Sequence, residues 1–547
     1  MRERVILLLA AMFLTTGLCL GGAEKQGTAD QPRFSESEFV AHLKFLASDI
    51  CEGRAPGTRG GELAAAYIAA QFEAIGLQPI SEERGYFQQV PMLGIETIQD
   101  SVNFTLSAGG QSVSFAPVDE VVVNSELPLD SVGAEGDLLF VGYGIEAPEY
   151  DWDDYKGVDV KDKILVMLVN DPDLEKTGFY NESLSYYGRW TYKEEIARAK
   201  GAKGIILIHT DETATYNFSV VQNSWAIERI QIRGTIPNQL LINSWVAQPA
   251  FDKALAFVGT TYAELKEKAD GRDFQPVPLG ISVVAEFKQE HREFETPNVI
   301  GILPGTTKGD EAVVYCGHWD HFGVGRAIDG DNIYNGARDN ASGIAAIICL
   351  ARAYSEMTPP ERSIVFMATT AEETGLLGAE YYATNPIFPL EKTAIAVNID
   401  VVNVYGPTED FGAGIVKFTN ALDAVRAIGE RLGLTLNIGG ADRGGGTFRS
   451  DHFPLCARGV VALSTGTGRK VRGMSEEDAS KMFGELFAGR YHQPSDEMDP
   501  RWRYDGTIQA MNLYYAIGRH WADGAERPEL LPDNPYIPAI RMKGLGK

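Results

Sequence analysis

Three features of this 547-residue sequence predict an α/β fold with a doubly wound, mostly parallel central sheet and an inserted, mostly β domain. From residue 296 onward, short apolar runs alternate with helical ones, the rhythm of strands joined by crossover helices. Between residues 131 and 288 the texture changes to brief β-rich runs separated by Gly, Asp and Pro. Histidines and acids collect where the later apolar runs end, the edge at which open α/β sheets bind ligands.

Length alone calls for two or three domains, since one hydrophobic core rarely serves so many residues. Residues 1–23 have the layout of a secretory signal peptide: Arg2 and Arg4, the apolar run VILLLAAMFLTTGLCL, then small residues to a cleavage point after Ala23. The run is shorter than a spanning helix requires, so the expectation is an exported, periplasmic or extracellular protein with no membrane span after cleavage. Leu18 before Cys19 fits poorly with a lipid-attachment site.

Residues 24–130 read as the first part of the main domain. FSESEFVAHLKFLAS opens on cap-forming serines, and GELAAAYIAAQFEAIGLQP is an amphipathic helix stopped by Gly76 and Pro79. Residues 131–288 form the insertion, with strand candidates GDLLFVGYGI, DKILVMLVN and GISVVAEF and one helix, KEEIARAKGAKG, leading into IILIH. Residues 289–525 carry the sheet, with strands in AVVYCGHWD, SIVFMATTAEE, TAIAVNID and GVVALSTGT and a closing helix near TIQAMNLYYAIGRHWA. Residues 526–547 read as an irregular tail.

Composition narrows the function. Hydrophobic residues at 44% and charged residues at 23% are those of a globular protein rather than a disordered or multi-span one. A net charge of -26 repels phosphate backbones and anionic bilayers, which argues against a nucleic-acid partner. Beyond the signal only Cys51, Cys316, Cys349 and Cys456 remain, too scattered for a disulfide framework and without CxxC spacing. A metal would have to be held by histidine and carboxylate.

That donor set is present. AVVYC runs into His318 and Asp320, SIVFMATTA into Glu372 and Glu373, and AVNI into Asp400, each at a predicted strand's carboxyl end; Asp339 stands in NGARDNASG just before a helix. One such pair means little, because a lone HxD or a Glu pair is usually ordinary polar surface. Several carboxylates converging on one crevice need a multivalent cation, and a His/Asp/Glu set without thiolate suits catalytic zinc.

On these residues the sequence resembles the zinc aminopeptidases of peptidase family M28. The matching segments are LASDICEGRAPGTRGGELAAAYIAAQFEAIGLQP, NVIGILPG, GHWDHFGVG, NGARDNASG, AEETGLLGAE, NIDVV, SDHFPL and YHQPSDE, in the family's order. The insertion resembles a protease-associated domain. The resemblance implies two Zn²⁺ per chain, His318 and Asp400 on one, Glu373 and His492 on the other, and Asp339 bridging them. It implies a metal-bridged hydroxide with Glu372 as general base, Asp320 supporting the first histidine and Tyr491 donating to the oxyanion. His321 and His452 read as supporting or core histidines.

The implied activity is exopeptidase action on peptide substrates, removing N-terminal residues. Arg338, in GARDN, and Arg449, before SDHF, depart from the common pattern, and either is a surface charge, a partner of a nearby Asp or a clasp for a substrate carboxylate, which would mean carboxypeptidase or dipeptidase action on the same site. A glutaminyl cyclase or a non-catalytic binding protein fits less well, because no ligand and no Glu372 is lost. The sequence says nothing of oligomeric state.

Overall fold

The structure is a computed structural model, and it describes residues 32–172, 183–236, 238–440 and 442–544. The expected signal peptide, 1–23, and Cys19 within it lie outside the described residues. Among those described, no helix is long and apolar enough to cross a membrane.

Two helices open the fold. In α1 (Glu36–Leu46) the Ser35 hydroxyl accepts from the Glu38 N–H, and in α2 (Arg59–Ile75) Thr58 caps in the same way while Gly76, at φ 88°, ends the helix. The central sheet is built from β1 (Val277–Leu303), β2 (Lys308–His318), β3 (Arg362–Thr369), β4 (Thr393–Asn398) and β5 (Ala462–Thr467). Its spatial order is β5-β4-β2-β3-β1; the first three pairings are parallel and β3–β1 is antiparallel. Every residue of β3 and β4 is buried, which is why these strands read as unbroken apolar runs rather than alternating ones.

Adjacent residues of β2 show that both faces are covered. The Tyr315 ring stacks on Phe366, and its hydroxyl meets Tyr354 of α3 (Ser342–Glu356) at 2.9 Å and the Tyr514 carbonyl at 2.8 Å. Cys316 points the other way, towards Cys456 and Tyr382. Those two belong to the helices Leu377–Thr384 and His452–Cys456, which pack on each other. Cys51, Cys316, Cys349 and Cys456 are all buried free thiols.

The inserted region differs from its expected outline in two respects. Its sheet already includes Asn103–Ala108, Gln111–Ser114 and Val121–Asn124, upstream of residue 131, because the first of these pairs with β1 from Ser282 to Glu286 and the last with Ile242–Ala247. It is also mixed α/β rather than mostly β. Ser131–Phe140, Ile164–Leu168, Gly204–His209 and Ile242–Ala247 are mutually parallel, and parallel neighbours need crossovers. The helices Trp190–Ala199 and Phe218–Trp225 lie on those crossovers.

Strand β1 joins the two regions. Residues 277–288 pair with Ser131–Phe140, and from Gln289 the same strand pairs with Phe87–Thr97 and then β3. The tail is not irregular throughout: Ile537–Met542 is helical, anchored by the buried Tyr536, whose ring packs on Phe448 and Phe453.

Candidate metal centre

The carboxyl ends of β2, β3 and β4 stand side by side, with His318 opposite Thr369 and Cys316 opposite Asn398. His318 therefore emerges next to the turns that carry Glu372 and Glu373 on one side and Asp400 on the other. Asp339 reaches the same place from the segment ahead of α3. Asn340 fixes that segment: its side chain donates to the Ile399 carbonyl at 3.0 Å and accepts from the Gly343 and Val401 N–H groups, both at 3.0 Å. Glycine is required around it, since a Cβ on Gly317 or Gly343 would lie 2.5 Å from the Ile399 carbonyl oxygen.

The six predicted ligand and base residues come together. His318 Nε2 is 3.2 Å from Asp339 Oδ1 and 3.5 Å from Asp400 Oδ1. On the other side His492 Nε2 is 3.2 Å from Glu373 Oε2 and 3.7 Å from Asp339 Oδ2. Asp339 thus offers one oxygen to each histidine. Glu372 lies with His318 and Asp400, their ligand atoms all within 4.8 Å of one another.

Neighbouring groups orient this set. The His318 Nδ1 edge meets the Asp320 carbonyl at 3.1 Å, and the fully buried Asp320 carboxylate accepts from the Glu372 N–H at 3.1 Å and the Glu373 N–H at 3.4 Å. His321 Nδ1 is 2.5 Å from Glu373 Oε1. His452, by contrast, faces away, its Nε2 on the Thr447 carbonyl at 3.0 Å.

Burial and neighbouring charge oppose each other throughout this site. Burial, with Glu373 and Asp400 nearby, pushes Glu372 well above the usual carboxylate range; burial also carries Asp320 up to about 7 and Asp451 to about 6. Burial opposes ionisation of Glu373, but His492 and His321 hold it well below its ordinary value. Burial would lower His318 as well, yet Glu372, Asp339 and Asp400 raise it well above. Taking this many carboxylates from water costs several kcal/mol each unless a cation compensates. His492 Nε2 is buried without a hydrogen-bond partner and faces two carboxylate oxygens, the arrangement of a metal ligand. The donor set fits zinc.

The pattern of Peptidase family M28 matches residues 298–516, a span holding His318, Asp320, Asp339, Glu372, Glu373, Asp400 and His492. The likeness to peptidase family M28 thus lies in the segment that carries the site. An aminopeptidase from Aneurinibacillus sp. strain AM-1 shares the fold, with a TM-score of 0.54 at 18% identity over 90% of this chain and 96% of that one. Sequence relatives include a probable glutamate carboxypeptidase of Arthroderma benhamiae, 30% identical over 32% of this chain and 25% of its own length. Aminopeptidase YwaD of Bacillus subtilis is 28% identical over 40% of this chain and 44% of its own. The chain thus spans less than half the length of either sequence relative.

The remaining predicted residues divide. Tyr491 stacks on the His492 ring with centroids 3.7 Å apart, and Arg449 lies beside it, both on a cleft of about 740 Å³. Arg338 does not line that cleft: its backbone N–H donates to both Asp496 carboxylate oxygens at 3.2 Å, and its guanidinium lies over the Phe487 ring at 4.6 Å. A flanking aromatic turned it away, which no local spacing reveals.

Several contributors were assigned no role in the sequence reading. Asp496, in the quoted YHQPSDE, accepts the Asp339 N–H at 3.0 Å. The wholly buried Arg54 donates to the carbonyls of Trp319, Asn335 and Gly336, tying EGRAPG to the segments that follow His318 and precede Asp339. The inserted region supplies Ser224, whose Oγ is 3.1 Å from His492 Nδ1, and Asn223, which donates to the His492 carbonyl at 3.4 Å. A buried arginine in EGR was a usable signal; Ser224 had none.

Proposed function

We propose that the chain is a di-zinc exopeptidase of the aminopeptidase type, cleaving N-terminal residues from peptides with Glu372 as general base. The observation that carries this reading is Asp339, which offers its two oxygens to His318 and His492 at 3.2 and 3.7 Å. His318, Asp339 and Asp400 would hold one zinc, and Asp339, Glu373 and His492 the other. When bound, zinc supplies Lewis acidity at the scissile carbonyl and at the attacking water.

The chain's own groups do the rest. Burial raises the proton affinity of Glu372, so that once ionised beside bound cations it would take a proton from water and hold it for return to the departing amine. Asp320, by taking the N–H groups of residues 372 and 373, keeps that carboxyl beside the ligands without spending it on the metal. Tyr491, stacked on the His492 ring, would donate its hydroxyl to the oxyanion.

Hydrolysis of aminoacyl arylamides, lost in a chelator and restored by zinc, is the expected behaviour, with about two zinc ions per chain by metal analysis. Glu372→Gln is expected to retain zinc while kcat falls on the order of a hundredfold to ten-thousandfold. Undiminished turnover in that variant would remove Glu372 from its role, and one tightly held zinc in the active enzyme would remove the second metal.

A further inference from the structure

A second set of metal donors stands apart from the proposed centre, where α1 packs on α3. Glu38 and His42 sit one turn apart on α1, and Cys349 stands about two turns along α3 from its start at Ser342. One donor atom from each of the three lies within 4.8 Å of the others. Since α1 lies outside residues 298–516, this set is no part of the matched M28 pattern.

Two of these donors are left idle. His42 is 5% exposed, and its Nε2 is buried with no hydrogen-bond partner; Glu38 Oε1, at 3.8 Å, is beyond hydrogen-bond reach. Its other nitrogen, Nδ1, meets the Tyr67 hydroxyl at 2.8 Å. With the ring proton on Nδ1 and donated to Tyr67, the Nε2 lone pair is free, the state in which an imidazole ligates a metal. Cys349 stands out among the buried thiols in the same sense. Cys51, Cys316 and Cys456 donate to oxygens of Phe45, Asn398 and Ala462 at 3.3, 3.5 and 3.5 Å, whereas among the described residues Cys349 donates to none.

Arg352, further along α3, donates to Glu38 Oε1, which leaves Oε2 for a cation. Its side chain is 37% exposed and can withdraw into solvent. Imidazole with thiolate is a donor pair that selects zinc and its heavier relatives over magnesium or calcium. Bonds of about 2.0–2.3 Å would draw the three donors to about 3.3–3.6 Å from one another, a contraction that rotation of the partly exposed Glu38 side chain supplies. We propose that Glu38, His42 and Cys349 form a further site for a thiophilic divalent cation of the zinc class, fastening α1 to α3. Cys349 binds as the thiolate, its proton leaving to solvent, and water completes the coordination.

Cadmium titrated into the full-length zinc-loaded protein tests this. A thiolate bound to cadmium absorbs in the ultraviolet by charge transfer, and the donors of the proposed catalytic centre include no thiolate. A saturable band worth one thiolate per chain is expected, removed by competing zinc, lost in Cys349→Ser and kept in Cys51→Ser. Tyr67→Phe, which strips the partner from His42 Nδ1, is expected to raise the cadmium Kd about tenfold to a hundredfold. Glu38→Gln is expected to raise it on the order of tenfold, and Arg352→Gln to lower it severalfold by taking away a like charge. Because Glu38 is partly exposed, its variant gives the answer even where Cys349→Ser does not fold. No band in a large excess of cadmium, a band that zinc cannot remove, a band kept in folded Cys349→Ser, or an affinity unmoved by Glu38→Gln overturns the site. None of these measurements needs turnover, so they decide the site whether or not the hydrolytic reading stands.

Discussion

The two halves of the proposed metal centre are built differently. His318 and Asp400 close two central parallel strands, and the residues on either side of Asp400, Ile399 and Val401, are both held by the Asn340 side chain. His492 comes from a loop, at φ 55°, a left-handed backbone that costs a non-glycine residue about 1–2 kcal/mol. Its ring and carbonyl are steadied from outside, by Ser224 and Asn223 of the inserted region. One half is therefore a property of the sheet, and the other depends on how a loop and the inserted region meet. The difference predicts that damage to the first half appears as lost stability and damage to the second as lost metal.

The bridging position should respond most strongly, because it belongs to both halves. Asp339→Ala is expected to abolish hydrolysis to the limit of detection and to lower bound zinc from about two to one or fewer per chain, measured by metal analysis after dialysis. Retention of both metals with full activity would dissolve the idea that the halves share a ligand.

Asn340→Ala probes the sheet-built half. The change leaves the Gly343 and Val401 N–H groups and the Ile399 carbonyl buried without their partner, a loss of about 3 kcal/mol or more in unfolding free energy by denaturant titration. A variant with an unchanged midpoint would show that Asn340 is not the staple described above.

These contrasts track what the sequence could disclose. The strands and the strand-end residues were legible because burial on both faces writes apolar runs, and the chemistry follows wherever such a run stops: His318, Glu372 and Asp400 needed no alignment. His492 carries no such mark. It stands in a Gly- and Pro-flanked loop, and only the resemblance of YHQPSDE to a family pattern singled it out. The inserted region was seen as a change of texture, but its helices were undercounted because parallel pairing, which forces crossovers, is a long-range fact. Ser224 is an ordinary residue in sequence and acquires meaning only from the histidine it faces.

The loop-built half is addressed by Ser224→Ala. Removing a partner behind a metal-binding histidine typically weakens metal binding tenfold to a hundredfold, and that is the expected rise in the zinc dissociation constant of one of the two sites, read by chelator competition. Ser224→Thr, which keeps the hydroxyl, is expected to recover most of the affinity. Equal weakening of both zinc sites would erase the distinction between the halves.

Arg338→Ala should do least. Its guanidinium rests on Phe487, worth about 0.5–1 kcal/mol of stability at a partly exposed site, and its backbone N–H contacts to Asp496 survive the substitution. Hydrolysis of aminoacyl arylamides is expected to keep a kcat/KM within about twofold of wild type, since the effect of a charge off the cleft is screened within roughly a Debye length. If instead Arg338→Ala abolished hydrolysis in a folded protein, the side chain would have to leave Phe487 and swing into the cleft on substrate binding, and the loop-built half would be the part of the site that moves.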